Sequence, residues 1–136
     1  MEERHSFSKS KIAGPIFNGY DNGGYLIYYL YPERVFVDNR PEAYPKEFFT
    51  NVYIPMQEKE TEWQKQDDYF KFNSIFFYRD DQWAQDFLSR RLADKNWAQV
   101  YADEKFLILV KRNQQNQQII KRFEDDSRKF LFRRGT

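Results

Sequence analysis

The sequence predicts a three-layer α/β fold, a mostly parallel sheet ending in an antiparallel hairpin. Three observations carry that prediction. Apolar β-type runs alternate with stretches of helical period through the first two thirds of the chain. Two late runs, Trp97–Tyr101 and Phe106–Val110, are separated by a tight Asp103-Glu104 turn and read as a hairpin. Of the 136 residues, 20% are aromatic, enough to fill a core that Leu, Ile and Val alone would not. The predicted Rossmann-like order is βαβαβαββα, with right-handed crossovers placing helices on both faces.

The elements follow in order. Residues 1–10 are a polar leader, 11–125 a single α/β domain, and 126–136 a basic tail. Ile12–Phe17 is a short apolar run whose Pro15 points to an edge or a strand start. Asn18–Gly24 is a turn in which Asp21 or Asn22 caps a helix over Tyr25–Leu30, stopped at Tyr31-Pro32. Arg34–Asp38 holds Val-Phe-Val, a short buried strand. Residues 46–70 read as helical with an interruption near Pro55, the later part presenting Trp63, Tyr69 and Phe70. Ser74–Tyr78 is the third strand. Residues 81–94 form the clearest helix, with Trp83, Phe87, Leu88 and Leu92 on one face. After the hairpin, Asn113 caps a last amphipathic helix carrying Ile119, Ile120 and Phe123.

Composition excludes several chemistries. There are 22 Lys+Arg against 21 Asp+Glu, so the global charge of a nucleic-acid binder is missing. With no Cys and a single His, His5, neither thiol catalysis nor a Ser-His-Asp triad nor a multi-His metal centre is available. No cofactor or metal is expected. No apolar run approaches the ~18 residues of a membrane span. The Met-Glu-Glu-Arg-His start lacks the apolar core of a secretory signal, so the chain is expected to be soluble.

In a parallel sheet, ligands bind beyond the carboxyl ends of the strands. The loops Asn18–Gly24, Asp38–Tyr44 and Arg79–Gln82 leave such ends. They nominate Asp21, Asn22, Gly23, Gly24, Asp38, Asn39, Arg40, Arg79 and Asp80 as ligand-binding residues, with Asp81 beside them. The Gly pair lets backbone approach a ligand closely. Arg40 and Arg79 suit an anionic or hydroxyl-rich one. The structural alternative is that the Asp and Asn residues cap helices and Arg40 pairs with Asp38 or Asp21. The acid pairs Asp67-Asp68, Asp80-Asp81 and Asp125-Asp126 read as caps or helix-dipole partners rather than as catalytic dyads. No residue is assigned a catalytic role.

Pro15–Arg40 reads P-I-F-N-G-Y-D-N-G-G-Y-L-I-Y-Y-L-Y-P-E-R-V-F-V-D-N-R. This stretch resembles the soluble C-terminal domain of bacterial multi-pass membrane glycosyltransferases of the GT-C type, in which I/V-F-N-x-Y-D-x-G-G-Y-L-I leads to V-F-I-D-G-R. Trp63, Ser74–Tyr78 and the hairpin follow in the same order, so the likeness spans roughly residues 11–111. Asn22 stands where an aromatic is common, and Asn39 stands where Gly is usual. The resemblance implies a domain outside the cytoplasmic membrane, attached to the transmembrane part of the same polypeptide. Its partner would be a glycan or lipid-linked sugar, and its role acceptor binding or scaffolding rather than turnover. The reading from a different class is a free-standing α/β interaction module without enzymatic activity. A small hydrolase using Asp21 and Asp38 ranks last, because no general-base His or nucleophile motif accompanies them.

Overall fold

The computed structural model describes residues 12–19, 36 and 45–135, with side chains as far as Arg128. The chain is α/β. Four strands, β1 (Ile16–Asn18), β2 (Ser74–Tyr78), β3 (Trp97–Ala102) and β4 (Phe106–Lys111), form one sheet in the order β1-β2-β4-β3.

The sheet is mixed rather than mostly parallel among the described residues: β1 pairs with β2 in parallel, and β2–β4 and β3–β4 are antiparallel. The reason lies in β4. Phe-Leu-Ile-Leu-Val is the most continuously apolar strand, and such a strand gains most from an interior position with both faces covered. Leu107 and Leu109 enter one core and Ile108 and Val110 the other, so β4 sits between β2 and β3 and runs against both. The hairpin itself is as the sequence predicts, each strand one residue longer at its C-terminal end. A bulge at Val100 shifts the register between Gln99 and Tyr101. Asp103 closes the turn, its Oδ1 accepting from the N–H groups of Lys105 (2.8 Å) and Phe106 (2.7 Å).

Of the predicted Arg34–Asp38 strand, only Phe36 is described; its N–H donates to Ile16 O at 3.1 Å and to Asn18 Oδ1 at 2.8 Å. The Tyr25–Leu30 helix lies outside the described residues.

One face of the sheet is covered by three helical segments. The first, α1, is α-helical over Lys46–Phe48, π-helical over Phe49–Tyr53 and α-helical again over Ile54–Glu58. The predicted interruption at Pro55 is therefore displaced. Pro55 sits in the first turn after the π-helical stretch, where its missing N–H and its clash with the preceding carbonyl are tolerated. The break falls instead at Lys59, which is extended (φ −125°, ψ 126°). Next comes α2 (Glu60–Phe70), which buries Trp63 and half-buries Phe70 but leaves Tyr69 exposed. It stops at Lys71 in the left-handed region (φ 55°, ψ 56°), where Lys71 N–H reaches Asp67 O and Asp67 Oδ1 takes Phe72 N–H.

The third, α3 (Gln85–Ala93), follows a 3₁₀ turn over Gln82–Ala84. Its inward stripe is Ala84, Phe87, Leu88 and Arg91, not the predicted Trp83–Phe87–Leu88–Leu92. The tighter 3₁₀ turn shifts the phase of the first residues, so Trp83 is 90% exposed and Leu92 43%. The sheet's other face is covered by α4 (Gln117–Gly135), with Ile119 and Ile120 buried and Phe123 packed beside them. Asn113 caps the 3₁₀ turn that leads into α4 by accepting from Asn116 N–H, as predicted. The helix runs on through the segment read as a tail. Ser127 is buried and its hydroxyl donates to Gln99 O at 3.0 Å, partnering one carbonyl of strand β3.

Two consequences are measurable. Phe17, fully buried, contacts six other rings, so Phe17→Ala should cost about 3–5 kcal/mol in urea denaturation, as large-to-small changes of buried aromatics do. Glu60 sets a pH dependence. Partial burial pushes its carboxyl up, but hydrogen bonds from Gln64 and Arg91, the Arg91 charge and the bond from Arg90 together hold it below the usual range. A carboxyl lowered on folding contributes stability above its unfolded value, which is lost as pH falls through the folded one. Stability from this group should be constant from pH 7 to about 5 and decline below about 4.3, where free glutamate titrates. In Glu60→Gln the midpoint at pH 7 should drop and the acid decline should flatten.

Candidate functional site

Because β1 and β2 are parallel, their carboxyl ends emerge at the same edge. There Gly19 N–H donates to Phe76 O (3.2 Å), and a Cβ on Gly19 would stand 3.1 Å from the Phe77 ring and 3.2 Å from Asp81 Oδ2. Gly19, immediately after β1, thus lies against the turn after β2. From α1, Tyr53 reaches over the same end, its hydroxyl donating to Asn18 O at 3.0 Å.

A cleft of about 670 Å³ opens beside this junction, lined among the described residues by Phe49, Tyr53, Ile54, Gln57, Glu58, Asp81 and Trp83. The π-helical stretch builds its wall. Widening the helix by one residue per turn brings Phe49, Tyr53 and Ile54 to the cleft side, and π-turns are recurrent at functional sites for this reason. The opposite lip is the turn before α3. Asp81 Oδ1 accepts from Trp83 N–H at 3.0 Å, and Asp81 O accepts from Gln85 Nε2 at 2.8 Å. This cap holds the 3₁₀ turn and leaves the Trp83 indole on the surface. Gln57 is fixed from behind, its carbonyl accepting from Arg90 Nη2 at 2.6 Å.

The charged residues of the described lining are Asp81 and Glu58. A carboxylate is a strong acceptor for hydroxyl donors, and two stand on the described wall. Among the described residues, no three of His, Cys, Asp and Glu gather to hold a metal ion.

Of the residues nominated from the sequence, Asp21, Asn22, Gly23, Gly24, Asp38, Asn39 and Arg40 lie outside the described residues. Arg79 and Asp80 are described. The Arg79 guanidinium reaches the hairpin turn, Nη1 donating to Asp103 O at 2.8 Å, while its backbone N–H donates to Lys105 O at 2.8 Å. Asp80 is exposed on the turn. Neither lines the cleft, whereas their neighbour Asp81 does. Sequence reasoning missed Phe49, Tyr53, Ile54, Gln57, Glu58 and Trp83. For Trp83 a signal was available: Asp81, two residues earlier, is a capping residue, and a helix that starts there sets Trp83 in its first turn.

Comparison with protein-family models, with curated proteins and with solved structures finds no match to this chain. The site's chemistry rests on its own residues.

The geometry separates two residues that are neighbours in sequence. Arg79→Ala removes a half-buried hydrogen bond that ties β2's end to the hairpin turn and should cost about 1 kcal/mol or slightly more. Trp83→Ala removes an exposed ring and should change stability by no more than about 0.5 kcal/mol. Urea midpoints of the two variants beside the parent chain test both.

Proposed function

We propose that this chain is the extracytoplasmic domain of a bacterial GT-C-type membrane glycosyltransferase, contributing acceptor binding or scaffolding rather than catalysis. The observation that carries the binding role is the cleft at the carboxyl edge of β1 and β2. The segment bearing the resemblance leaves β1 at that edge, where Gly19 lies against Asp81 of the lining. The parent's transmembrane part is the proposed partner and a glycan or lipid-linked sugar the proposed ligand. Among the described residues no helix is long and apolar enough to cross a membrane, so on this reading the anchor belongs to the rest of the parent.

The finer fold reading, the Rossmann-like order with Arg34–Asp38 as a strand beside β1, belongs to the same proposal. The Phe36 N–H bond to Ile16 O supports it.

The test is sugar transfer by the full-length parent carrying Asp21→Ala or Arg40→Ala, beside thermal melting of the present chain with the same substitutions. Reduced transfer with melting unchanged is the expected result. A lowered melting temperature with transfer reduced only in proportion to lost folded protein would make both residues structural. Normal transfer by both variants would leave the domain a scaffold.

A further inference from the structure

Trp83 is the anomaly of this molecule. The other two tryptophans are buried to 0% and 4% exposure, and Trp83 stands at 90% on the lip of the cleft. We propose that the cleft binds a saccharide, with the Trp83 indole as its stacking platform and the Glu58 and Asp81 carboxylates as acceptors for its hydroxyls. The inference rests on the binding role proposed above and specifies its ligand.

A pyranose ring carries an apolar face of C–H groups and a rim of hydroxyls. Its complement is a flat aromatic surface beside hydrogen-bond acceptors. Trp83 supplies the surface, extended by Ile54, itself 44% exposed. Glu58 is exposed on the last turn of α1, and Asp81 comes from the turn before α3, so acceptors stand on both lips. The volume of about 670 Å³ falls within the range of small-molecule sites, about 300–1,000 Å³, and leaves room for more than one ring.

One other ligand class fits less well. A quaternary ammonium is attracted by carboxylates and aromatic faces, but it is held by a cage of several open rings. Here Tyr53 is 6% exposed, its ring packed on Phe17 and its hydroxyl bonded to Asn18 O. Phe49 is half-buried and set edge-on to Tyr53 and Phe48. One open ring among the described lining residues makes a platform, not a cage.

The experiment is a titration of this chain with cellobiose, maltose, 4α-mannobiose and N,N′-diacetylchitobiose, followed by tryptophan fluorescence and by indole N–H resonances. Choline chloride and inorganic phosphate form the two control arms. At least one disaccharide should saturate and perturb the resonance of the exposed indole, leaving those of the buried Trp63 and Trp97 in place. Trp83→Ala should weaken that binding about tenfold or more, which is about 1.4 kcal/mol, with far-ultraviolet circular dichroism unchanged. Trp83→Phe should recover part of it, because a smaller ring still stacks.

Failure of all four disaccharides to saturate would overturn the inference, as would binding indifferent to Trp83→Ala, or choline or phosphate binding in their place. The two proposals fail separately. Transfer lost in Asp21→Ala without any saccharide binding here rejects the platform and keeps the glycosyltransferase reading. Saccharide binding by this chain, with parent transfer normal in Asp21→Ala, Arg40→Ala and Trp83→Ala, keeps the platform and rejects the acceptor-binding role.

Discussion

The packing of Phe17 is the contact on which the rest of the structure depends. It is the middle residue of a three-residue strand, too short to be held by its ladder to β2 alone. Its ring lies 5.2–5.9 Å from those of Phe36, Tyr53, Trp63, Phe72, Phe77 and Phe87. Those six come from the segment after β1, from α1, from α2 and the turn beyond it, from β2 and from α3. One side chain therefore joins every element on that face of the sheet. The pairs are tilted or edge-on, the arrangements that the charge distribution of aromatic rings favours, each adding about 0.5–1.5 kcal/mol beyond area burial. An aliphatic core of equal volume would fill the space without fixing these angles. The high aromatic content of the chain thus becomes orientational specificity in the layer that carries the cleft wall.

A buried arginine fixes the direction of that wall. Arg91 is 1% exposed, with its guanidinium over the rings of Trp63 (5.1 Å) and Phe87 (5.5 Å) and its Nη2 on Glu60 at 2.5 Å and Asp94 at 3.4 Å. Among the described residues its Nε and Nη1 and the neighbouring Trp63 Nε1 find no acceptor, and two carboxylates and the ring faces hold this charge. Such a group is costly to desolvate and more costly still to leave without its partner. What it secures is a junction. Glu60 opens α2 immediately after the Lys59 break, where a carboxylate also favours the helix dipole. Arg90 binds Glu60 at 2.9 Å and Gln57 O at 2.6 Å. The Arg90-Arg91 pair on α3 therefore grips the end of α1 and the start of α2 together. The angle at Lys59, and with it the position of the π-helical wall of the cleft, follows from that grip.

What the sequence made legible was local. The hairpin, the Ser74–Tyr78 strand and the Asn113 cap each rest on a pattern within a few residues, and each stands as read. What it hid was decided at long range. Nothing near Phe106–Lys111 says that this strand belongs between β2 and β3; that choice comes from two cores competing for its two faces. Arg91 occupies an inward position of α3 because Glu60, 31 residues away, is there to meet it, and a hydropathy pattern therefore assigns that position to the surface. Trp83 was lost to the same reasoning in reverse. A large apolar residue near the start of a helical pattern counts toward the buried face, unless the first turn is tighter than the rest. At the carboxyl edge, the parallel β1–β2 pair brings Gly19 against Asp81, and Asp81 is the Arg79–Gln82 loop's contribution to the cleft. The aromatic and aliphatic lining from α1 carried no signal, since its helix is read as one more amphipathic layer.

Asp81 shows how closely the start of α3 and the cleft are coupled. Its Oδ1 caps the 3₁₀ turn, its carbonyl receives the Gln85 side chain, and its Oδ2 lies toward Gly19 at the end of β1. The cap determines the phase of α3, and the phase decides which aromatic enters the core. With the turn in place, Phe87 packs on Phe17 and Trp63 while Trp83 stays outside. The residue that keeps it exposed is the one that places a carboxylate beside it.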